Sequence, residues 1–146
     1  MKFKKLESGR SMVEMLGVLA IIGVLSVGGI AGYTLSMRRY RANQIIDIAA
    51  KYSLITYANC QQKFINNNLE IYCEKNIVPF ENSGLGNLPA GVTGFETEDI
   101  ILNSENGSDD VTVYIHFSDT KLCQAVGSIT GTGCGSWGVS ILFKHD

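Results

Sequence analysis

Hydrophobic residues are concentrated near the start of the chain, where residues 15–37 contain no charge. As a helix rising about 1.5 Å per residue this run is about 35 Å long, and the hydrocarbon core of a bilayer is about 30 Å thick. The run therefore predicts a helix that can span a membrane. The flanking basic residues are too evenly divided to set its orientation. They are Lys2, Lys4, Lys5 and Arg10 before the run and Arg38, Arg39 and Arg41 after it.

Helical periodicity continues past the apolar run without an interruption at Tyr33. Apolar residues recur every three or four positions, which predicts one continuous helix over about residues 11–61. The first half of this helix is apolar all round, and the second half is amphipathic. Its expected buried stripe comprises Ala42, Ile45, Ile48, Ala49, Tyr52, Ile55 and Asn59. A cleaved secretory signal fits less well, because Glu14 and a polar ESGRS segment precede the run.

The helical pattern breaks after Gln62, and turn-forming residues predict a long irregular connection up to about Glu98. These residues include Asn66, Asn67, Asn68, Pro79, Ser83, Gly84, Gly86, Pro89 and Gly91. Within the connection, residues 69–73 fit a short helix. A connection of this length is usually a functional surface or is held by a crosslink.

The final third of the chain changes to a period of two, which predicts β-strands. Residues 100–103 and 111–117 are expected to be strands joined by a turn at Asn106-Gly107. Ser118 or Asp119 is expected to cap a short helix over residues 120–126 that ends at Gly127, before a last strand over residues 138–144. The inward positions are Val111, Val113, Ile115, Phe117, Val139, Ile141 and Phe143. The predicted fold class is α+β, with the amphipathic half of the helix packed on a small antiparallel sheet.

Length and charge limit the classes of protein that fit. The 146 residues suffice for about one domain, and the net charge of −2 shows no excess of basic residues. Nucleic acid is therefore not the default partner.

The four cysteines, Cys60, Cys73, Cys123 and Cys134, all follow the apolar run. They lack the C-x-x-C spacing and histidine partners of a zinc site, so two disulfides in an oxidising compartment fit better than four reduced thiols. Three pairings are open, and we prefer Cys60–Cys73 with Cys123–Cys134 because each closes a short loop. The cysteines and the larger C-terminal mass together place the N-terminus in the cytoplasm.

The residues Gly9, Arg10, Ser11, Met12, Val13 and Glu14, followed by the AIIG of residues 20–23, resemble the N-terminus of type IV prepilins and pseudopilins. The resemblance covers about residues 5–40. It implies a pilin fold with three parts: a leader at residues 1–9, a membrane and filament-core helix at residues 10–37, and a globular head at residues 38–146. The arrangement of the C-terminal half looks more like the type IVb branch than the type IVa branch.

The same resemblance implies that a prepilin peptidase cleaves after Gly9 and methylates the new amine of Arg10. It also implies that Glu14 pairs with the terminal amine of a neighbouring subunit during assembly. Physical chemistry supports a partner, since an unpaired charge in a bilayer costs about 2.5–3.5 kcal/mol on insertion scales. The alternative is that Glu14 lies at the membrane surface beside Arg10 as an i,i+4 pair.

The chain departs from the family pattern in two places. Arg10 stands where members usually start the mature chain with an apolar residue, and Ala31 stands where many have proline. Glycines crowd the latter region, and each costs about 1 kcal/mol relative to alanine in a helix. The expected weak point, which would let a filament stretch or bend, comprises Gly23, Gly28, Gly29 and Gly32.

The region from Cys123 to Cys134 would match the disulfide-bounded surface of pilins, which carries neighbour contacts and adhesion. Beyond it lies the only tryptophan, Trp137. This residue either contacts a partner or belongs to the core, and we slightly prefer the core because tryptophan is highly buried on average.

We find no catalytic motif, cofactor or metal site in the sequence and predict that the protein is not an enzyme. His116 and His145 are expected to face solvent. The acidic segment of residues 105–110 fits a hairpin turn better than a calcium loop.

The sequence therefore predicts a structural subunit of a type IV pilus or related filament, used for adhesion, motility or DNA uptake. Expected partners are copies of itself, prepilin peptidase, inner-membrane assembly machinery and membrane lipid, with a host surface or DNA as further candidates. The subunit would be stored in a bacterial inner membrane and then assembled into an extracellular pilus. Alternatives are a minor pilin, a type II secretion pseudopilin, or a membrane-anchored binding domain that never polymerises.

Overall fold

The long N-terminal helix predicted from the sequence is present in the computed structural model, which describes residues 4–65, 67–102 and 110–145. Helix α1 runs over Lys4–Ala58 and α2 over Thr120–Thr130. The strands are β1 (Gln61–Ile65), β2 (Asn68–Cys73), β3 (Val92–Thr97), β4 (Ile100–Leu102), β5 (Asp110–Phe117) and β6 (Val139–Lys144), with a short 3₁₀ turn at Phe80–Asn82. The chain divides into two compact units, Met1–Met37 and Arg38–Asp146. The α+β class is therefore shown.

Helix α1 differs from the prediction at both ends. It starts at Lys4, before the predicted Ser11, and so includes part of the segment expected to be a leader. It ends at Ala58 because Gln61 and Gln62 pair with Tyr72 and Ile71 as the first residues of β1.

Within the first unit, every side chain of residues 11–36 is exposed to its surroundings. This part of α1 belongs to the single helix, among the residues described, that is long and apolar enough to cross a membrane.

Within the second unit, one stripe of α1 is buried against the rest of the fold. Its residues are spaced alternately three and four apart, which keeps them on one face of a helix. The stripe comprises Ala42, Ile45, Ala49, Tyr52 and Thr56. The predicted stripe is therefore confirmed at Ala42, Ile45, Ala49 and Tyr52. Ile48 and Ile55 are half-buried at its border, and Asn59 is exposed because the helix has already ended.

The buried stripe packs on an antiparallel sheet with the strand order β3-β5-β6. In β5 the predicted alternation is confirmed, since Val111, Val113 and Ile115 are fully buried. Val139 and Ile141 of β6 join them, whereas Phe117 and Phe143 are only partly buried near the sheet ends.

Strand β3 was missed in the sequence because its inward positions do not alternate. Val92, Phe95 and Thr97 are buried, and the pairing with β5 shifts register between Val92 and Gly94. A bulge of this kind adds a residue on one strand and moves the following side chains to the other face. The period of two is therefore lost within the strand.

A second sheet replaces part of the predicted irregular connection. Its order is β1-β2-β4, so the prediction of a short helix at residues 69–73 is wrong. Ile65 pairs with Asn68, and Asn67, directly before Asn68, has a positive φ of 68°. Asparagine tolerates this conformation and favours such a hairpin turn.

Strand β4 pairs with β2, not with the strand that follows it along the chain. The predicted hairpin of residues 100–103 with residues 111–117 is therefore wrong. The turn proposed at Asn106-Gly107 lies outside the described residues.

Helix α2 begins as predicted and ends later than predicted. The Asp119 carboxylate accepts the backbone N–H of Lys121 at 2.9 Å, which confirms Asp119 as the N-cap. The helix continues through Gly127 to Thr130, and the left-handed conformation of Gly131 ends it. Gly127 is instead a packing position, because an added Cβ would lie 2.5 Å from the backbone carbon of Gly133.

Three aromatic side chains form a cluster in the core: Tyr52 of α1, Phe80 of the connection between β2 and β3, and Phe95 of β3. The ring centroids of Phe80 and Phe95 lie 4.7 Å apart, and Tyr52 lies 5.6 Å from Phe80. The Tyr52 hydroxyl donates to the backbone carbonyl of Val78 at 2.7 Å. This bond ties helix α1 to a segment that has no regular structure of its own.

We expect Tyr52→Phe to lower the free energy of unfolding by about 1 kcal/mol, because it removes the hydrogen bond to Val78. Burial, and secondly the negative charge of Glu96, raise the pKa of Tyr52. The stability that depends on the neutral phenol is therefore complete below its ordinary pKa of about 10 and is lost as the pH rises through the higher folded-state value.

Denaturant unfolding of the full chain in detergent, followed by near-ultraviolet circular dichroism at several pH values up to 11, tests this prediction. Stability should fall above about pH 10 in the wild type, and less steeply in the phenylalanine variant. The exposed Tyr40→Phe is the matched control and should behave as the wild type. Parallel pH profiles for Tyr52→Phe and the wild type would contradict the assignment.

Candidate functional site

The apolar part of α1 carries a single acid at its beginning. Glu14 is exposed, and it forms no ion pair with any of the side chains described from Ser11 onward. The structure thus leaves the partner of Glu14 open, and the pairing with the terminal amine stays a prediction.

The polar side chains inside this apolar run are satisfied by the helix itself. The Ser26 hydroxyl donates to the carbonyl of Ile22 at 2.7 Å, and the Thr34 hydroxyl donates to that of Ala31 at 2.9 Å. Such bonds remove the need for water, so this segment suits lipid or a bundle of helices.

The helix glycines are not required by packing within the chain. A Cβ added at Gly23, Gly28, Gly29 or Gly32 would meet nothing within 4 Å. The structure therefore leaves a role in flexibility or in contacts with other helices as a prediction.

Both disulfides have the pairing preferred from the sequence. Cys60–Cys73 connects the end of α1 to β2, and Cys123–Cys134 connects α2 to the loop before β6. The second disulfide encloses the C-terminal part of α2 and its exit, and it therefore holds the chain just before Trp137.

The small preference for a buried Trp137 is wrong, since this side chain is 83% exposed. Trp137 lies at the tip of a tight hairpin in which Gly135 and Gly138 exchange two backbone hydrogen bonds of 3.0 and 3.2 Å. The inward positions of β6 begin only at Val139. A tip residue lies outside the faces of the sheet, which accounts for the exposure.

Gly138 determines where this hairpin is held. Its φ is +113°, a conformation that only glycine adopts readily, and an added Cβ would overlap the carbonyl oxygen of Ile115. The hairpin backbone therefore lies directly against the end of β5. We refer to residues 135–138 as the Trp137 hairpin.

Two grooves share the Trp137 hairpin as a wall. The larger, of about 430 Å³, is also lined by Thr93, His116, Thr120 and the Cys123–Cys134 disulfide. The smaller, of about 300 Å³, is also lined by Tyr114, Thr132 and Ser140. The structure thus brings together residues from β3, β5, α2 and β6 that no sequence pattern associates with Trp137.

The two histidines occupy different environments. His116 is partly buried, and its Nε2 atom lies 3.2 Å from a carboxylate oxygen of Glu96 on the neighbouring strand. His145 is also partly buried and stacks on Tyr57 with the ring centroids 5.0 Å apart. The expectation that both histidines simply face solvent is therefore incorrect, because cross-strand and ring contacts cover part of each.

No group of three or more His, Cys, Asp or Glu side chains within the described part of the chain could hold a metal ion. Of the acidic segment at residues 105–110, only Asp110 lies within the described residues. The choice between a turn and a calcium loop therefore stays a prediction.

Comparisons with protein-family models, with curated proteins and with solved structures find no match to this chain.

We expect Gly138→Ala to destabilise the fold by about 2 kcal/mol or more, because the new Cβ must displace the Trp137 hairpin from β5. Gly135→Ala is the matched control, since its Cβ would lie at an ordinary 3.7 Å from the Gly138 carbonyl oxygen. Denaturant unfolding measures stability, and the emission of Trp137 reports the loop. Equal stability of the two variants would contradict the close approach of Gly138 to Ile115.

Proposed function

We propose that the protein is a structural subunit of a type IV pilus or a related filament. The observation that carries this proposal is the apolar part of α1, whose side chains over residues 11–36 are all exposed and which begins with one acid, Glu14. Exposure of so large an apolar surface to water is unfavourable, so this helix requires lipid or other helices around it.

Polymerisation would satisfy that requirement without lipid. Lipid tails are as apolar as leucine, so transfer from a membrane into a helix bundle is driven by close packing and by polar pairs. Small residues favour such packing because they let helix backbones approach. The open positions at Gly23, Gly28, Gly29 and Gly32 are consistent with contacts supplied by neighbouring copies.

Glu14 supplies the polar pair in this proposal. Cleavage after Gly9 creates a positively charged amine on Arg10, and methylation of that amine keeps its charge. A neighbouring subunit that offers this amine to Glu14 would neutralise both charges in an apolar surrounding, where an unpaired charge is expensive. The pair between Glu14 and the amine would also fix the axial offset between neighbouring helices.

The second unit supports the proposal at the level of architecture. The amphipathic end of a long helix packs on an antiparallel sheet, and a disulfide bounds the segment before the last strand. This is the arrangement that the resemblance to prepilins implies. A major pilin, a minor pilin and a secretion pseudopilin all share it, and their abundance in sheared filaments would separate them.

In this proposal the subunit waits in the inner membrane with its N-terminus in the cytoplasm. Prepilin peptidase processes it there, and inner-membrane assembly machinery extracts it into an extracellular filament. Adhesion, motility and DNA uptake are the functions that such a filament could serve.

The exposed Trp137 favours a second candidate, a membrane-anchored binding domain that does not polymerise. In that case the apolar helix would serve only as an anchor, and Glu14 would be dispensable.

Glu14→Ala distinguishes the two candidates. We expect the amount of assembled filament to fall by about tenfold or more, because an unpaired amine in the helix bundle costs roughly 2–3 kcal/mol. Immunoblots of sheared and membrane fractions measure this, and the membrane pool should persist. Ser26→Ala, at an exposed polar position of the same helix, is the control and should assemble normally. Normal filament yield from Glu14→Ala would remove the assembly role.

An intact mass of the extracellular protein under non-reducing conditions tests the processing steps. We expect a chain that lacks residues 1–9, carries one added methyl group, and has lost the thiol hydrogens of both disulfides. Full-length protein confined to membranes would contradict the proposed processing and favour the anchored binding domain.

A further inference from the structure

The Trp137 hairpin displays the most exposed of the large hydrophobic side chains in the described part of the chain. Its 83% exposure exceeds even that of the apolar α1 residues, for which a lipid or helical surrounding is proposed. A tryptophan side chain loses much favourable burial in such a position. An isolated apolar residue on a surface needs no explanation, but this one stands between two grooves.

The position of Trp137 is held firmly by its surroundings. The Cys123–Cys134 disulfide fixes the chain on one side of the hairpin, and strand β6 continues on the other. The Gly133 N–H also donates to the Gly127 carbonyl at 3.2 Å, and Gly138 lies against Ile115. A ligand that stacks on the indole would therefore not have to order the loop first.

Most of the polar side chains that line the two grooves carry a hydroxyl group. Thr93, Thr120 and Ser136 line the larger groove, and Tyr114, Thr132 and Ser140 line the smaller one. A hydroxyl can both donate and accept a hydrogen bond, so those of Thr132 and Tyr114 keep a free position beside their bonds to Thr130 and Glu98. The larger groove adds the imidazole of His116, which is oriented by Glu96. The grooves therefore suit a ligand that also carries many groups able to donate and accept.

The side chains that line the two grooves do not favour an anionic partner. Neither groove is lined by a lysine or an arginine. Nucleic acids and acidic glycans require such residues, because contacts between basic side chains and the anionic backbone provide most of their affinity. The partner is therefore expected to be neutral.

We propose that Trp137 and its two flanking grooves bind a neutral carbohydrate chain. A pyranose ring has an apolar face of C–H groups that stacks on the flat indole, and hydroxyl groups around its edge that reach the side chains of the grooves. Volumes of about 430 and 300 Å³ lie toward the lower end of the range for ligand sites. A short oligosaccharide that passes over Trp137 from one groove to the other fits this geometry.

This site lies within the second unit and does not depend on polymerisation. Unassembled subunits should bind as well as filaments do. Loss of binding and loss of assembly are therefore separate results, and Glu14→Ala should leave carbohydrate binding unchanged.

Because Trp137 is the only tryptophan, its fluorescence reports the site without a label. The full chain would be held in lipid nanodiscs, since detergents with sugar headgroups would compete. Maltotriose, cellotriose, chitotriose and N-acetyllactosamine serve as neutral probes, and sialyllactose and duplex DNA serve as charged ones. We expect at least one neutral probe to shift the emission of Trp137 in a saturable manner, and the charged probes to have no effect.

Calorimetric titration of the responding sugar then tests the role of the ring. Trp137→Ala should weaken binding by about tenfold or more, and Trp137→Phe should restore part of the affinity because it keeps an aromatic face. Ile129→Ala, which truncates another exposed apolar side chain of the same unit, is the control and should bind as the wild type. Circular dichroism confirms that each variant is folded.

Several results would overturn the proposal. These are the absence of a response to every neutral probe, unchanged affinity in Trp137→Ala, and a response confined to sialyllactose or DNA. The last result would replace the neutral ligand by an anionic one.

Discussion

The packing of one stripe of α1 on the sheet β3-β5-β6 is the interaction on which the rest of the fold depends. Ala42 and Ala49 are completely buried in the same core as Val113 and Ile115. This contact places the end of α1 beside β1 and the aromatic cluster around Tyr52. The Cys60–Cys73 disulfide then connects the end of α1 to the second sheet.

The two halves of α1 require different surroundings. Burial in the second unit satisfies the stripe from Ala42 to Thr56, whereas the described side chains from Ser11 to Ser36 have no partner surface within their own unit. Backbone bonds and the self-satisfied Ser26 and Thr34 make that half stable in an apolar medium. This division suits a membrane or a bundle of helices, and it is the physical basis of the proposed filament.

Sequence patterns predicted the structure correctly where one kind of interaction decides which residue occupies each position. The α1 stripe and the alternation of β5 follow from burial on one face, and Asp119 as N-cap follows from the unpaired N–H groups of a helix start. The predictions failed where several contacts compete. The bulge of β3 broke its alternation, residues 69–73 paired as a strand with distant β4, and Gly127 proved to be a packing position inside α2.

By itself, the sequence determined the apolar helix with Glu14 at its start and the α+β class, because periodicity and length are properties of the chain. It left three cysteine pairings open, and the structure has the preferred one. Only the tertiary structure decided that Trp137 is exposed and that His116 contacts Glu96. It also assembled the two grooves from β3, β5, α2 and β6. These features depend on the order in which strands pair and on the close approach of Gly138 to β5, and neither leaves a periodic signal in the sequence.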